Sequence, residues 1–209
     1  MTRLHDQLFN WPNLLTLARI SAVPLLVIFY YLPVSWSHVA AAIIFALACI
    51  TDWLDGYLAR YLKQSTKLGA FLDPVADKLM VSTALIVLVA QPTFQFVSTT
   101  KALVVIPTAV ITVPAAIIVA REIIVSALRE WMAEIGKRQR VAVSNMGKVK
   151  TALQMVALVV LIYCDNTTQA LIVFTGLILL YIAAVLTIWS MFIYLKAAWL
   201  QLAESDASF

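Results

Sequence analysis

The sequence predicts an all-α integral membrane protein with six transmembrane helices and a short N-terminal interfacial helix. Composition comes first. Of 209 residues, 63% are hydrophobic and only 12% charged, and the mean hydropathy is +0.92. A soluble domain carries about half apolar and about a quarter charged residues, so this excess cannot be buried in a soluble fold. Next, long stretches lack charge altogether: from Ile20 to Thr51 there is no Asp, Glu, Lys or Arg. Last, the basic residues collect on alternate connections. Disorder, a coiled coil, a secreted disulfide scaffold and a nucleic-acid-binding domain are all excluded. Cys49 and Cys164 lie in apolar surroundings, and a pair of cysteines makes neither a disulfide framework nor a zinc site.

Each element follows from length and punctuation. Residues 1–10 alternate apolar and polar groups before Trp11-Pro12, as a short helix in the membrane interface would. A helical span needs about 20 residues, so the uncharged stretch holds parts of two spans, broken at Pro33-Val-Ser-Trp-Ser-His38. The first runs from about Leu14 to Leu32 and the second from about Trp36 to Tyr61. The third, about Leu68 to Ala90, stops at Gln91-Pro92. The fourth starts near Ala102 and continues in helical pattern through Trp131. That is about 45 Å of helix against a hydrocarbon core of roughly 30 Å, so its last turns should enter water. The fifth covers about Lys148 to Cys164, and the sixth about Thr168 to Lys196. Residues 1–203 form one domain, and 204–209 are expected to be a disordered tail.

Charge sets the orientation. Arg3, Arg19, Arg60, Lys63, Lys67, Arg129, Lys137, Arg138, Arg140, Lys148, Lys150 and Lys196 share one side, and only Lys101 falls on the other. The positive-inside rule makes that basic side, with both termini, cytoplasmic. Ser35-Trp36-Ser37 loosely fits a signal-peptidase site, but Arg19 lies too far in for a basic leader.

The informative charges lie inside the spans. Asp52, Asp55, Gly56 and Ala59 share one helical face, and so do Gly69, Asp73 and Asp77 at intervals of four. A short connection joins these segments, so antiparallel neighbours are expected, with four carboxylates near the cytoplasmic ends. Four such groups repel at low dielectric unless they share protons, meet cations or bind metal. Oxygen donors in this number favour Mg²⁺, Mn²⁺ or Ca²⁺ over zinc. Two divalent ions would neutralise them and leave coordination positions for phosphate oxygens. The alternative is structural: ion pairs with Arg60, Lys78 and Arg121.

The string Asp52-x-x-Asp55-Gly56-x-x-Ala59-Arg60, then eight residues, then Gly69-x-x-x-Asp73-x-x-x-Asp77, resembles the signature of the CDP-alcohol phosphatidyltransferases. Asn13-x-x-Thr16-x-x-Arg19 and the six-span layout extend the resemblance over most of the chain. It implies a membrane-embedded homodimer of the bacterial cytoplasmic membrane with a cytosol-facing active-site cavity. Such enzymes join a CDP-linked donor to an alcohol and release CMP, with Mg²⁺ or Mn²⁺, two ions, as cofactor. By resemblance Asp52, Asp55 and Asp73 hold metal, and Asp77 lies near the metals as base for the acceptor hydroxyl. Asn13, Thr16, Asp52, Gly56, Ala59, Arg60 and Gly69 would receive the CDP-lipid.

The acceptor is read from a second cationic set. Arg121 and Arg129 stand eight residues apart on one helical face, and Gly147-Lys148-Val-Lys150-Thr151 opens the fifth span. Arginine fits phosphate bidentately and lysine adds a point charge, so Arg121, Arg129, Lys148 and Lys150 would bind a phosphorylated acceptor. Topology signalling and attraction to anionic headgroups are the competing account, strongest for Lys137, Arg138 and Arg140. Both segments are similar to those of the bacterial family members that make phosphatidylglycerophosphate. That similarity implies CDP-diacylglycerol and sn-glycerol 3-phosphate as substrates, among membrane lipids and with no nucleic-acid partner. Sibling transferases that use phosphatidylglycerol, serine or inositol phosphate are the nearest alternatives. An ion-coupled transporter and a non-catalytic scaffold are the others, and neither explains acids gathered toward one surface.

Overall fold

The computed structural model of the chain describes residues 11–62, 67–91, 94–97, 103–134 and 145–206. Six helices lie among them: α1 (Trp11–Tyr31), α2 (Ser37–Leu62), α3 (Lys67–Val89), α4 (Ala109–Glu134), α5 (Asn145–Tyr163) and α6 (Ala170–Asp206). The residues read as an interfacial helix, 1–10, lie outside the described residues.

Proline explains several boundaries. Pro12 sits in the first turn of α1, where a missing N–H costs nothing, and Pro33 follows the end of that helix. Between α3 and α4 the structure departs from expectation. The fourth span does not begin near Ala102, because Leu103–Ile106 is a strand, β2, paired antiparallel with β1 (Phe94–Val97). The run Leu-Val-Val-Ile is largely β-branched, and Pro107 disfavours helix at the residue before it. Helix α4 starts only beyond it, where the Thr108 carbonyl accepts from the Ile111 and Thr112 amides. At the other end, α6 runs on to Asp206. Glu204–Asp206, expected in a disordered tail, are therefore helical, while 207–209 lie outside the described residues.

Helix α1 packs on both α2 and α3, α2 on α5, α5 on α6, and α6 on α4. Helices α2 and α3 come together at their carboxylates, where Asp52 and Asp77 meet the same Arg19 nitrogen. Among the described residues, the extensive packing of both is against α1. The core runs through Leu26, Phe45, Leu85, Ile118, Leu158 and Leu180, all buried. Gly176 serves the α5–α6 contact: a Cβ there would lie 2.9 Å from Leu161 Cδ2. Small residues allow this close approach between membrane helices.

The outside is apolar too. Trp53, Phe71, Leu171 and Trp199 are each about 70% exposed, far more than an aqueous surface tolerates as continuous cover. Four helices contain stretches long and apolar enough to cross a membrane: Asn13–Tyr31, Ser37–Leu54, Ala109–Met132 and Ala170–Lys196. Helix α3 carries Lys67, Asp73, Asp77 and Lys78 in its first half, and the apolar stretch of α5, Val149–Tyr163, is shorter. The chain is an integral membrane protein of multi-pass design.

Candidate active site

Helix alternation brings the end of α2, the start of α3, the second half of α4 and the start of α5 to one end of the bundle. A cavity of about 270 Å³ opens there. Asp52, Asp77 and Lys78 line it on one side, and Arg121, Glu122, Arg129, Gln154 and Tyr194 on another. Acidic and cationic residues that lie far apart in sequence thus face a single space.

The acidic side is organised by α1. Arg19 is 2% exposed, yet its Nη1 lies 2.7 Å from Asp52 Oδ1 and 2.6 Å from Asp77 Oδ1. One buried guanidinium therefore draws together carboxylates from two different helices. One turn earlier, Thr16 Oγ1 donates to Asp73 Oδ1 at 2.7 Å. Both interactions come from the buried face of α1 that also carries Asn13. A buried cation is tolerable only when paired and hydrogen-bonded, and the two aspartates meet that need. Sequence reading had offered Arg60, Lys78 and Arg121 as counter-ions. Instead Lys78 Nζ donates to Ser126 Oγ, Arg121 turns to Glu122, and the side chain of Arg60 is outside the described residues.

The cationic side is a chain of contacts across α4, α5 and α6. Arg121 Nη1 donates to Glu122 Oε1 at 2.7 Å, and Lys150 Nζ reaches the same oxygen at 3.2 Å. Arg121 Nη2 also donates to Ser190 Oγ at 3.3 Å. Its Nε is buried with no hydrogen-bond partner among the described residues. Lys150 is 2% exposed and lies behind Glu122, away from the cavity lining. Glu122 thus pairs with two cations.

Of the remaining expected residues, Asn13, Thr16 and Gly69 are buried. Asp55, Gly56, Ala59 and Arg60 fall within α2, and Lys148 within α5, but their side chains lie outside the described residues. Arg19, Ser126, Ser190 and Tyr194 were not singled out as site residues. Arg19 stood in the N-terminal motif and had been counted only as a topology signal. The other three carry no sequence signal beyond being polar in an apolar run.

A hard divalent cation suits these donors in kind, since all are carboxylate oxygens. Among the described residues no three acidic, His or Cys side chains form a group able to hold a metal, and the side chain of Asp55 is not among them.

Comparison with known proteins gives the family of the chain. The profile of the CDP-alcohol phosphatidyltransferase family matches residues 9–189. The CDP-diacylglycerol–glycerol-3-phosphate 3-phosphatidyltransferase of Escherichia coli (strain K12) is 50% identical over 190 residues, covering 91% of this chain and 95% of the relative. Proteins of the same name from Escherichia coli O157:H7 and Shigella flexneri serotype 5b (strain 8401) give the same 50% identity and coverage.

Proposed function

The chain belongs to the CDP-alcohol phosphatidyltransferase family, and from that premise we propose that it transfers phosphatidyl from CDP-diacylglycerol to sn-glycerol 3-phosphate. The acceptor hydroxyl oxygen bonds to the phosphorus that carries diacylglycerol. The bond from that phosphorus to the bridging oxygen breaks, and CMP leaves with the electron pair. The products are phosphatidylglycerophosphate and CMP.

One observation carries this reading: a single cavity is lined by Asp52 and Asp77 on one side and by Arg121 and Arg129 on the other. A base and a phosphate-binding wall are what an acceptor that is both alcohol and phosphate requires. Asp77 takes the hydroxyl proton, a role that contributes about 10²–10⁴-fold in rate. Arg121 and Arg129, with Lys148, hold the acceptor phosphate, while Lys150 acts on that wall through Glu122. Asn13, Thr16, Gly56, Ala59, Arg60 and Gly69 receive the CDP-lipid. Asp52, Asp55 and Asp73, with Asp77 beside them, would hold divalent metal, Mg²⁺ or Mn²⁺ and two ions, which would supply positive charge for the diphosphate.

The wider setting belongs to the same proposal. All six helices span the membrane, the charged end and both termini face the cytoplasm, and the protein is a homodimer of the bacterial inner membrane. Support comes from the one-sided basic residues and from family membership, which displaces the transporter alternative.

The test is CMP release by purified protein with CDP-diacylglycerol and Mg²⁺ or Mn²⁺. Glycerol 3-phosphate, serine, inositol phosphate and phosphatidylglycerol are offered separately. Metal-dependent release with glycerol 3-phosphate alone is expected. Release with another acceptor alone would keep the family and overturn the phosphate-wall assignment.

A further inference from the structure

Tyr194 of α6 belongs to none of the motifs, yet both cavity arginines gather on it. The Cζ atoms of Arg121 and Arg129 lie 5.8 Å and 5.5 Å from its ring centroid. Eight residues separate these arginines on α4, about 12 Å along the axis, and like charges gain nothing by converging. A ring that attracts both cations gives a reason, since the face of an aromatic ring is electron-rich and effective within about 6 Å.

The two arginines differ in how much they need this help. Arg121 is buried and already anchored by Glu122 and Ser190. Arg129 is exposed, and its described anchor is the tyrosine, through the ring and a long contact from Nη2 to the phenolic oxygen at 3.5 Å. A free arginine carries a large rotamer entropy that must be lost on binding. A ring that holds Arg129 beforehand removes part of that loss. Tyr194 itself is only 9% exposed, so its ring is a fixed surface rather than a mobile one.

We infer that Tyr194 is the positioning residue of the acceptor pocket, holding Arg129 beside Arg121 so that both meet a dianionic phosphate monoester. Specificity for a phosphorylated alcohol over a neutral one then depends on a residue on α6. The inference rests on the acceptor reading above, so its test separates the two.

Steady-state kinetics of Tyr194→Leu and Tyr194→Phe provide that test, with Tyr194→Met as a second apolar replacement should the leucine variant not fold. Removing the ring should raise KM for glycerol 3-phosphate about fivefold to tenfold, the worth of a partly desolvated cation–π contact. Turnover number and KM for CDP-diacylglycerol should stay within about twofold, because Arg129 reaches neither. The phenylalanine variant should match wild type. An unchanged KM in the leucine variant, with or without a fall in kcat, would overturn the inference. Titration with inorganic phosphate, followed by ³¹P line broadening, supplies the independent arm. If wild type proves indifferent to glycerol 3-phosphate, the acceptor reading fails. Weaker phosphate binding in Tyr194→Leu would still uphold the arginine-positioning role, and equal binding would end it.

Discussion

The two ends of the bundle each carry a polar hollow, and they are built on different principles. At the end where α1 and α3 finish and α2 begins, a cavity of about 460 Å³ is lined by Pro33, Ser37, His38, Gln91, Asp165 and Thr167 among others. It is larger than the 270 Å³ cavity over Asp52 and Asp77. Its carboxylate, Asp165, is satisfied by near neighbours in sequence, while the ring of His38 meets the Ile162 carbonyl at 3.2 Å. Asp165 Oδ1 accepts from the Thr167 amide, the Thr167 hydroxyl and the Thr168 hydroxyl, each at 2.8 Å. That is a side chain closing its own turn. At the other end the contacts join different helices, as in Arg19 with Asp77, Thr16 with Asp73, Lys150 with Glu122 and Arg129 with Tyr194. Volume therefore misleads here. Charge brought together from distant parts of the chain is the better mark of a working site, because folding alone does not require it.

The sharpest way to break this comparison is to neutralise one acid at each end. Asp77→Asn should lower the rate of CMP release by about 10²–10⁴-fold, while Asp165→Asn should leave it near wild type. Comparable losses from both variants would give the larger cavity a share in the chemistry. Arg19 comes next. Its replacement by Met leaves Asp52 and Asp77 without the cation that draws them together, and turnover should fall on the order of a hundredfold, as when the groups that orient a ligand set are removed. Arg19→Lys should recover only part of this, since an ammonium lacks the planar fork. Activity unchanged in Arg19→Met would mean that the aspartates need no help from α1.

The smallest effect concerns stability at the opposite end. Burial pushes the Asp165 carboxyl up, but hydrogen bonds from Thr167 and Thr168 together outweigh it and hold the group below its ordinary value. A carboxyl depressed in the folded state stabilises above its unfolded value of about 4, and that contribution is lost as pH falls through the folded value. The thermal midpoint of wild type in detergent should exceed that of Asp165→Asn at pH 7 by about 2–4 °C, the shift that a hydrogen bond or two gives in a chain of this size. The gap should narrow as pH falls below the ordinary carboxyl value of about 4 and close once the folded-state carboxyl is protonated. A gap that persists in acid would trace the turn to something other than the carboxylate.

Much of this was legible in the sequence, for physical reasons that differ by feature. Most helix positions followed from hydropathy and proline, and the expectation of an aspartate face followed from helical spacing. Both are properties of a single segment. The strand Leu103–Ile106 was missed because a short apolar run reads alike as strand or helix, and Pro107 alone hinted at the difference. Arg19 was read as an orientation signal because its role depends on α1 meeting both α2 and α3, which no spacing within one segment encodes. Tyr194 and Ser190 escaped for the same reason. Lys150 was expected to face a ligand, but it is buried, with its Nζ 3.2 Å from Glu122 Oε1, a pairing between α4 and α5 that no spacing within one segment encodes.

The Arg19 ion pairs also bear on how the chain enters the bilayer. An arginine near the middle of a membrane helix opposes insertion by about 2.5–3.5 kcal/mol. Its two partners, Asp52 and Asp77, are synthesised later, on the next two helices. As it leaves the ribosome, α1 is thus a weak passenger by itself, and α2 and α3 carry acids that are equally unwelcome in lipid. The first three helices should commit to the membrane together, as one biogenesis unit. Truncated chains ending after α1 should integrate less well than the same chains with Arg19→Leu, and that advantage should vanish once α3 has been made. Glycosylation mapping of the intermediates would show whether it does.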